Sequence, residues 1–143
     1  MLNLKLFSAD GEGPPRFDIS LEEDDQALES NVILSLFLDR RANPEEVDEG
    51  ADLRGFWGDA YSDGDQIGSK LWTLRRAKTV PDTLRAARDY AKQALEWMKK
   101  DGLASRIEVD AQRAGTYALD LSVRIHRPDG GLYQRTWQNL IFK

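Results

Sequence analysis

The chain holds a single histidine, His126, and no cysteine. A Ser-His-Asp or Cys-His nucleophile set therefore has one base to draw on and no thiol. His126 falls on the polar face of a predicted strand, beside a turn. A surface histidine is the expectation there, and a general base is the alternative. Asp59, Asp63 and Asp65 share a glycine-bearing stretch. An EF-hand calcium loop wants Asp-x-Asp-x-Asp-Gly and a distal Glu, and that spacing is absent. A solvated acidic loop is expected, with weak calcium binding as the alternative. Gly64-Asp65-Gln66-Ile67-Gly68-Ser69-Lys70 has glycines and a lysine, but its serine precedes the lysine. A phosphate loop needs Gly-x-x-x-x-Gly-Lys-Ser/Thr after a strand. The 25 acidic residues contain carboxylate pairs by number alone. Nothing singles out two of them across a cleft at glycosidase spacing. No catalytic residue, cofactor site or metal site is assigned.

The informative residues are instead aromatic and basic. Arg54-Gly55-Phe56-Trp57-Gly58-Asp59 and Gly68-Ser69-Lys70-Leu71-Trp72-Thr73-Leu74 set two tryptophans in a polar, glycine-rich region. Loops usually run through water, so Trp57 and Trp72 must pack on the protein's own core or on another chain. Lys70, Arg75, Arg76, Lys78, Arg85 and Arg88 form a basic cluster that contrasts with an acidic first half. It reads either as the solvent face of two helices or as a docking patch for an acidic partner surface. The net charge of -5 argues against a uniformly basic nucleic-acid face. The lack of cysteine removes a disulfide framework and fits a reducing compartment. The longest apolar run, 32–38 with Ser35 inside it, is too short to span a bilayer. The opening Met1-Leu2-Asn3-Leu4-Lys5-Leu6 lacks the features of a secretory leader, so retention in the producing cell's cytoplasm is expected.

Stepwise along the chain, Leu2, Leu4 and Leu6 alternate with Asn3 and Lys5, which predicts a short strand. A second is expected at 17–19, after the Gly-Pro-rich break at 11–15. From Asp25 the pattern turns helical, with acids before it and Arg40-Arg41 at its end, an order that suits the helix dipole. The run 32–38 is apolar nearly all round, so this helix is expected to be mostly buried. Residues 43–52 read as an acidic loop. A short helix is expected over 68–78, with Ser69 as its cap and Ile67, Leu71, Trp72 and Leu74 buried.

The clearest helix spans 81–100. Leu84, Ala87, Ala91, Ala94, Leu95 and Met98 form its apolar stripe. Pro81 and Asp82 suit its start, Lys99-Lys100 its end, and Gly102 the left-handed stop. The last third alternates as strands do, at 107–109, 119–126 and 132–142, with a turn at Pro128-Asp129-Gly130-Gly131. Tyr133 and Trp137 share one face. At 143 residues a single domain is expected over 1–143. Its fold class is α+β: helices packed on a small, mainly antiparallel sheet that ends in a β-hairpin.

Four segments carry a family likeness. They are Val32-Ile33-Leu34-Ser35-Leu36-Phe37-Leu38-Asp39-Arg40-Arg41-Ala42, the two tryptophan segments quoted above, and Tyr90-Ala91-Lys92-Gln93-Ala94-Leu95-Glu96-Trp97 with Asp101-Gly102. In this order they resemble the gene product forty-six family of Mu-like phages, over roughly 28–125. Two departures stand out: Phe56, where a second tryptophan is usual, and Leu38, where a threonine is usual. The family is similar to the baseplate wedge protein that initiates the tail sheath in contractile-tailed phages. The resemblance implies a non-catalytic virion structural protein, present in several copies per virion at the tail baseplate and assembled in the host cytoplasm. The partners it implies are other baseplate wedge proteins, tail tube or spike proteins and the sheath protein, with no nucleic acid and no membrane. The alternative reading is a baseplate-associated peptidoglycan hydrolase.

On the assembly reading, the expected partner-interface residues are Arg54, Trp57, Lys70, Trp72, Arg75, Tyr133 and Trp137. Arg54 is expected to pair with Asp39 or Asp59 and pin the loop. Trp97 is expected to be ordinary core. The candidate free sheet edges are 2–6 and 132–142, with Lys5, Arg135 and Lys143 as guards against unwanted pairing.

Overall fold

The computed structural model of the chain describes residues 3–7, 16–20, 25–55, 59 and 66–142. Strands β1 (Asn3–Phe7) and β2 (Arg16–Ser20) form an antiparallel ribbon, with Leu4 opposite Ile19 and Leu6 opposite Phe17. The ribbon lies against helix α1 (Asp25–Phe37). Helix α2 (Pro81–Lys100) follows, and then three strands, β3 (Arg106–Arg113), β4 (Leu119–His126) and β5 (Leu132–Leu140). These pair antiparallel in the order β3-β4-β5, so β4 is central and both β3 and β5 are edges. The architecture is α+β, as the pattern predicts.

The core sits between the sheet and the two helices. Leu119, Leu121, Val123 and Ile125 of β4 are buried, while Asp120, Ser122, Arg124 and His126 alternate onto the other face. Period-2 alternation thus gives the sheet one dry and one wet side. Helix α2 meets the dry side with Ala87, Ala91, Ala94, Leu95 and Met98, all at most 2% exposed. Its alanines let the helix backbone approach closely, and α2 lies over β3. Its end is a Schellman stop: Gly102 has φ of 76°, its N–H donates to the Lys99 carbonyl, and the Leu103 N–H donates to that of Met98.

Helix α1 departs from expectation in two ways. Its buried residues, Leu28, Val32, Ser35 and Leu36, form one stripe, and Phe37 stands 36% exposed. A run that is apolar all round is therefore covered mainly on one side. The helix also ends at Phe37, before Arg40-Arg41, so those arginines do not occupy its last turn. The chain leaves the helix where the Leu38 carbonyl accepts from the Ser69 N–H and the Arg40 N–H donates to the Ser69 carbonyl in place of helical partners. The helix expected over 68–78 is only a 3-10 helix, Lys70–Leu74. Ser69 caps it by accepting from the Leu71 N–H, and Leu71 and Trp72 are buried, but Ile67 is 41% exposed. Arg76 ends that stretch at φ of 62°, a left-handed conformation that cannot continue a helix.

On β5, Tyr133, Arg135 and Trp137 stand opposite Ile125, Val123 and Leu121, so all three point to the helix side. Between Leu119 and Leu121 the register shifts, because β5 carries one extra residue. Asn139 takes φ of 54° in this bulge, and its N–H donates to Asp120 Oδ1 at 2.9 Å.

Candidate functional site

The described residues expected to matter for assembly fall mainly into two groups. The first is a clamp between the segment after α1 and the segment before the 3-10 helix Lys70–Leu74. The Ser69 N–H donates to the Leu38 carbonyl at 2.9 Å, and the Arg40 N–H donates to the Ser69 carbonyl at 3.0 Å. Asp39 and Ser69 thus form an isolated parallel bridge. The Ser69 hydroxyl donates to the Leu36 carbonyl, which α1 leaves unpaired at its end. Gly68, at φ of 94°, brings its Cα so close that a Cβ would lie 2.3 Å from the Leu38 carbonyl oxygen. Only glycine fits both the conformation and the space.

Trp72 and the arginines close the clamp. Trp72 Nε1 donates to the Arg40 carbonyl at 2.8 Å. Arg54 Nη1 donates to Asp39 Oδ2 at 2.7 Å, and the guanidinium lies 4.6 Å from the Trp72 ring centroid. Of the two expected carboxylates, Asp39 is the partner. Because Asp39 is 40% exposed, the ion pair adds little stability. Arg40 Nη2 donates to the Gln66 carbonyl at 2.7 Å. Burial lowers the proton affinity of Arg40 below the ordinary arginine value, and the charge of Asp59 opposes that. Arg41 Nη1 reaches the Arg54 carbonyl, so both flanks of the stretch between 55 and 66 are tied to Arg40-Arg41. Trp57 itself lies outside the described residues, as do Phe56, Gly58, Asp63 and Asp65.

Lys70, expected on a partner surface, is 7% exposed and turns inward. Its Nζ meets Glu46 Oε1 at 3.0 Å and Oε2 at 2.9 Å. Glu46 belongs to a short 3-10 turn, Pro44–Glu46, and also accepts from the Asn43 N–H at 2.8 Å. Asn43 followed three residues later by Glu46, with Pro44 between, was the sequence signal for that turn. Burial raises the Glu46 pKa. The Asn43 N–H and Lys70 outweigh it and hold the carboxyl below its ordinary value.

Such a group contributes stability that is full above the ordinary glutamate value and lost as pH falls through the folded value. Glu46→Gln is expected to cost about 1–2 kcal/mol near neutral pH, since it leaves a nearly buried ammonium without its counter-charge. Urea unfolding at about pH 7 and about pH 3 checks this, with the gap between variant and parent closing in acid. An equal gap at both values would remove the pair as its cause.

The second group lies on the helix side of β5. Trp137 meets Phe37 of α1 edge-to-face, with ring centroids 5.5 Å apart. Arg135 forms an ion pair with Glu29 of α1 and lies 5.4 Å from the Trp137 centroid. Arg135 thus ties β5 to α1, a role different from the edge guard expected of it. Tyr133 is partly buried; its hydroxyl has no partner among the described residues, and burial raises its pKa. The outward main-chain groups of β5 over 132–137 meet no partner among the described residues. The other edge, β3, escaped the sequence reading as an edge. It is partly covered, because Arg88 of α2 donates to the Ala111 carbonyl and pairs with Asp110. Trp97 packs on the core and donates from Nε1 to the buried Ser35 hydroxyl at 2.9 Å. Arg75 is exposed.

On the wet face, His126 Nε2 lies 3.0 Å from Glu108 Oε2, and Arg106 and Arg124 also pair with Glu108. The His126 hydrogen bond leads in holding the Glu108 carboxyl below its ordinary value. This is a charge ladder across adjacent strands. No group of three or more His, Asp or Glu placed to hold a metal occurs among the described residues. No helix among them is long and apolar enough to cross a membrane.

Comparison with known proteins agrees with the resemblance read from the four segments. The profile described as Phage protein GP46 matches residues 28–132. The chain is 44% identical over 114 residues to "Mu-like prophage FluMu protein gp46" of Haemophilus influenzae, covering 80% of this chain and 78% of that one. It is 42% identical over 135 residues to "Baseplate protein gp46" of Escherichia phage Mu, covering 92% of each. The family match includes the clamp, α2 and the central strand of the sheet, and on this ground the chain belongs to the phage protein GP46 family.

Proposed function

We propose that the chain is a non-catalytic structural component of a phage or prophage contractile-tail baseplate. The observation that carries this reading is the likeness, over 92% of each chain, to a protein of Escherichia phage Mu named "Baseplate protein gp46". In this reading it sits in the virion tail, in several copies, after assembly in the host cytoplasm. It joins the wedge and helps initiate the sheath, against wedge, tube or spike and sheath proteins. An assembly role is supported by the β5 edge, which is uncovered among the described residues. Unpaired main-chain donors and acceptors are what an added strand from another chain would use.

The test is co-expression of the tagged chain with its neighbouring tail genes, followed by sizing and hydrogen exchange. A stable complex with a larger tail protein is expected, with amide exchange over 132–137 slowed in the complex. A lone monomer with no tail partner sinks the baseplate reading. A stable complex with unchanged exchange in β5 keeps that reading and removes the edge from it.

A further inference from the structure

A groove of about 390 Å³ opens beside the clamp, lined by two separate segments. One, at and after the turn Pro44–Glu46, contributes Glu45 and Asp48. The other, after the 3-10 helix, contributes Arg75 and Arg76. All four side chains are exposed, and none forms an ion pair with a described residue. The contrast with the neighbourhood is clear. Glu46 in the same groove holds Lys70, and next to it Arg54 holds Asp39. Arg76 also keeps a φ of 62°, a conformation uncommon for arginine. Val47 and the rim of Trp72 add apolar surface to the lining.

One concavity thus presents unpaired charges of both signs on two different segments. An isologous two-fold contact needs one surface to offer both partners of each pair, and these two segments supply both signs on exposed side chains. We propose that the groove is a self-docking surface. A second copy of this chain seats its Glu45 and Asp48 against Arg75 and Arg76 of the first, and the reverse contact forms by symmetry. The contact is small and held mainly by charge, so it is weak in dilute solution and strengthens where copies are held close together. It does not depend on the baseplate reading, because the purified chain alone carries both halves.

Sedimentation velocity over a concentration series, at about 0.02 M and about 0.5 M salt, tests it. The wild-type chain is expected to dimerise reversibly at low salt and to lose more than about tenfold in affinity at high salt. Arg75→Glu/Arg76→Glu makes the groove acidic throughout, and Glu45→Lys/Asp48→Lys makes it basic. Each variant alone is expected to be monomeric, and an equimolar mixture to form heterodimers. Circular dichroism is expected to match the parent in both, since all four positions are exposed. A wild-type chain that stays monomeric throughout, a dimer indifferent to salt, or a mixture that fails to associate would each overturn the proposal.

Discussion

Gly68→Ala is expected to destabilise the chain by about 3 kcal/mol or more, enough to unfold much of a marginally stable domain. Two causes add. The residue holds φ of 94°, and a Cβ there would lie 2.3 Å from the Leu38 oxygen and 2.7 Å from its carbon. Both neighbours are backbone, so no side chain can swing aside. The clamp would have to open, losing the Ser69–Leu38 and Arg40–Ser69 hydrogen bonds. Gly102→Ala is the matched control. Its φ is also positive, 76°, but nothing lies within 4 Å of the added carbon. It should cost only about 1 kcal/mol, the conformational part alone. Thermal and urea unfolding of the two variants separate the causes. Equal losses would mean that the close approach at Gly68 contributes nothing.

Trp72→Ala should cost about 3–5 kcal/mol, as truncation of a large core side chain does. The residue is 6% exposed, so its ring is already covered by its own chain. A partner could reach only its rim. Trp72→Phe divides the effect. It keeps most of the apolar contact but leaves the Arg40 carbonyl without the indole N–H that lies 2.8 Å away. That change is expected to cost about 1–3 kcal/mol, including a weaker cation–π contact with Arg54. If the phenylalanine variant is as stable as the parent, the hydrogen bond does not hold the clamp. A pull-down with either variant at a temperature where it remains folded tests whether the clamp matters for assembly.

Three further contacts join the segment 39–41 to residues distant in sequence: Arg41 to the Arg54 carbonyl, Asp39 to Arg54, and Arg40 to the Gln66 carbonyl.

Local pattern was enough for much of this molecule. Strand alternation over 119–126 and the 3.6-residue stripe of α2 are set by which residues must leave water, and that depends on neighbours in sequence. Pro81, Asp82 and Gly102 marked the ends of α2 for the same local reason. The four segments from Val32 to Gly102 were likewise enough to place the chain in its family. Tertiary structure alone decided the rest. Helix α1 stops at Phe37 although its sequence could continue, because Ser69, distant in sequence, takes up the Leu38 carbonyl and the Arg40 N–H. Lys70 reads as a surface cation by type, yet Glu46 draws it inward, and ion pairs between distant segments leave no periodic trace. Trp72 could have faced a partner or the core; the Arg40 carbonyl and the Arg54 guanidinium turn it inward. Which strands are edges depends on pairing order, and only the assembled sheet shows that β4 is central. Local sequence determines where a chain can form an element, whereas contacts between distant segments determine where that element ends and which surface it leaves free.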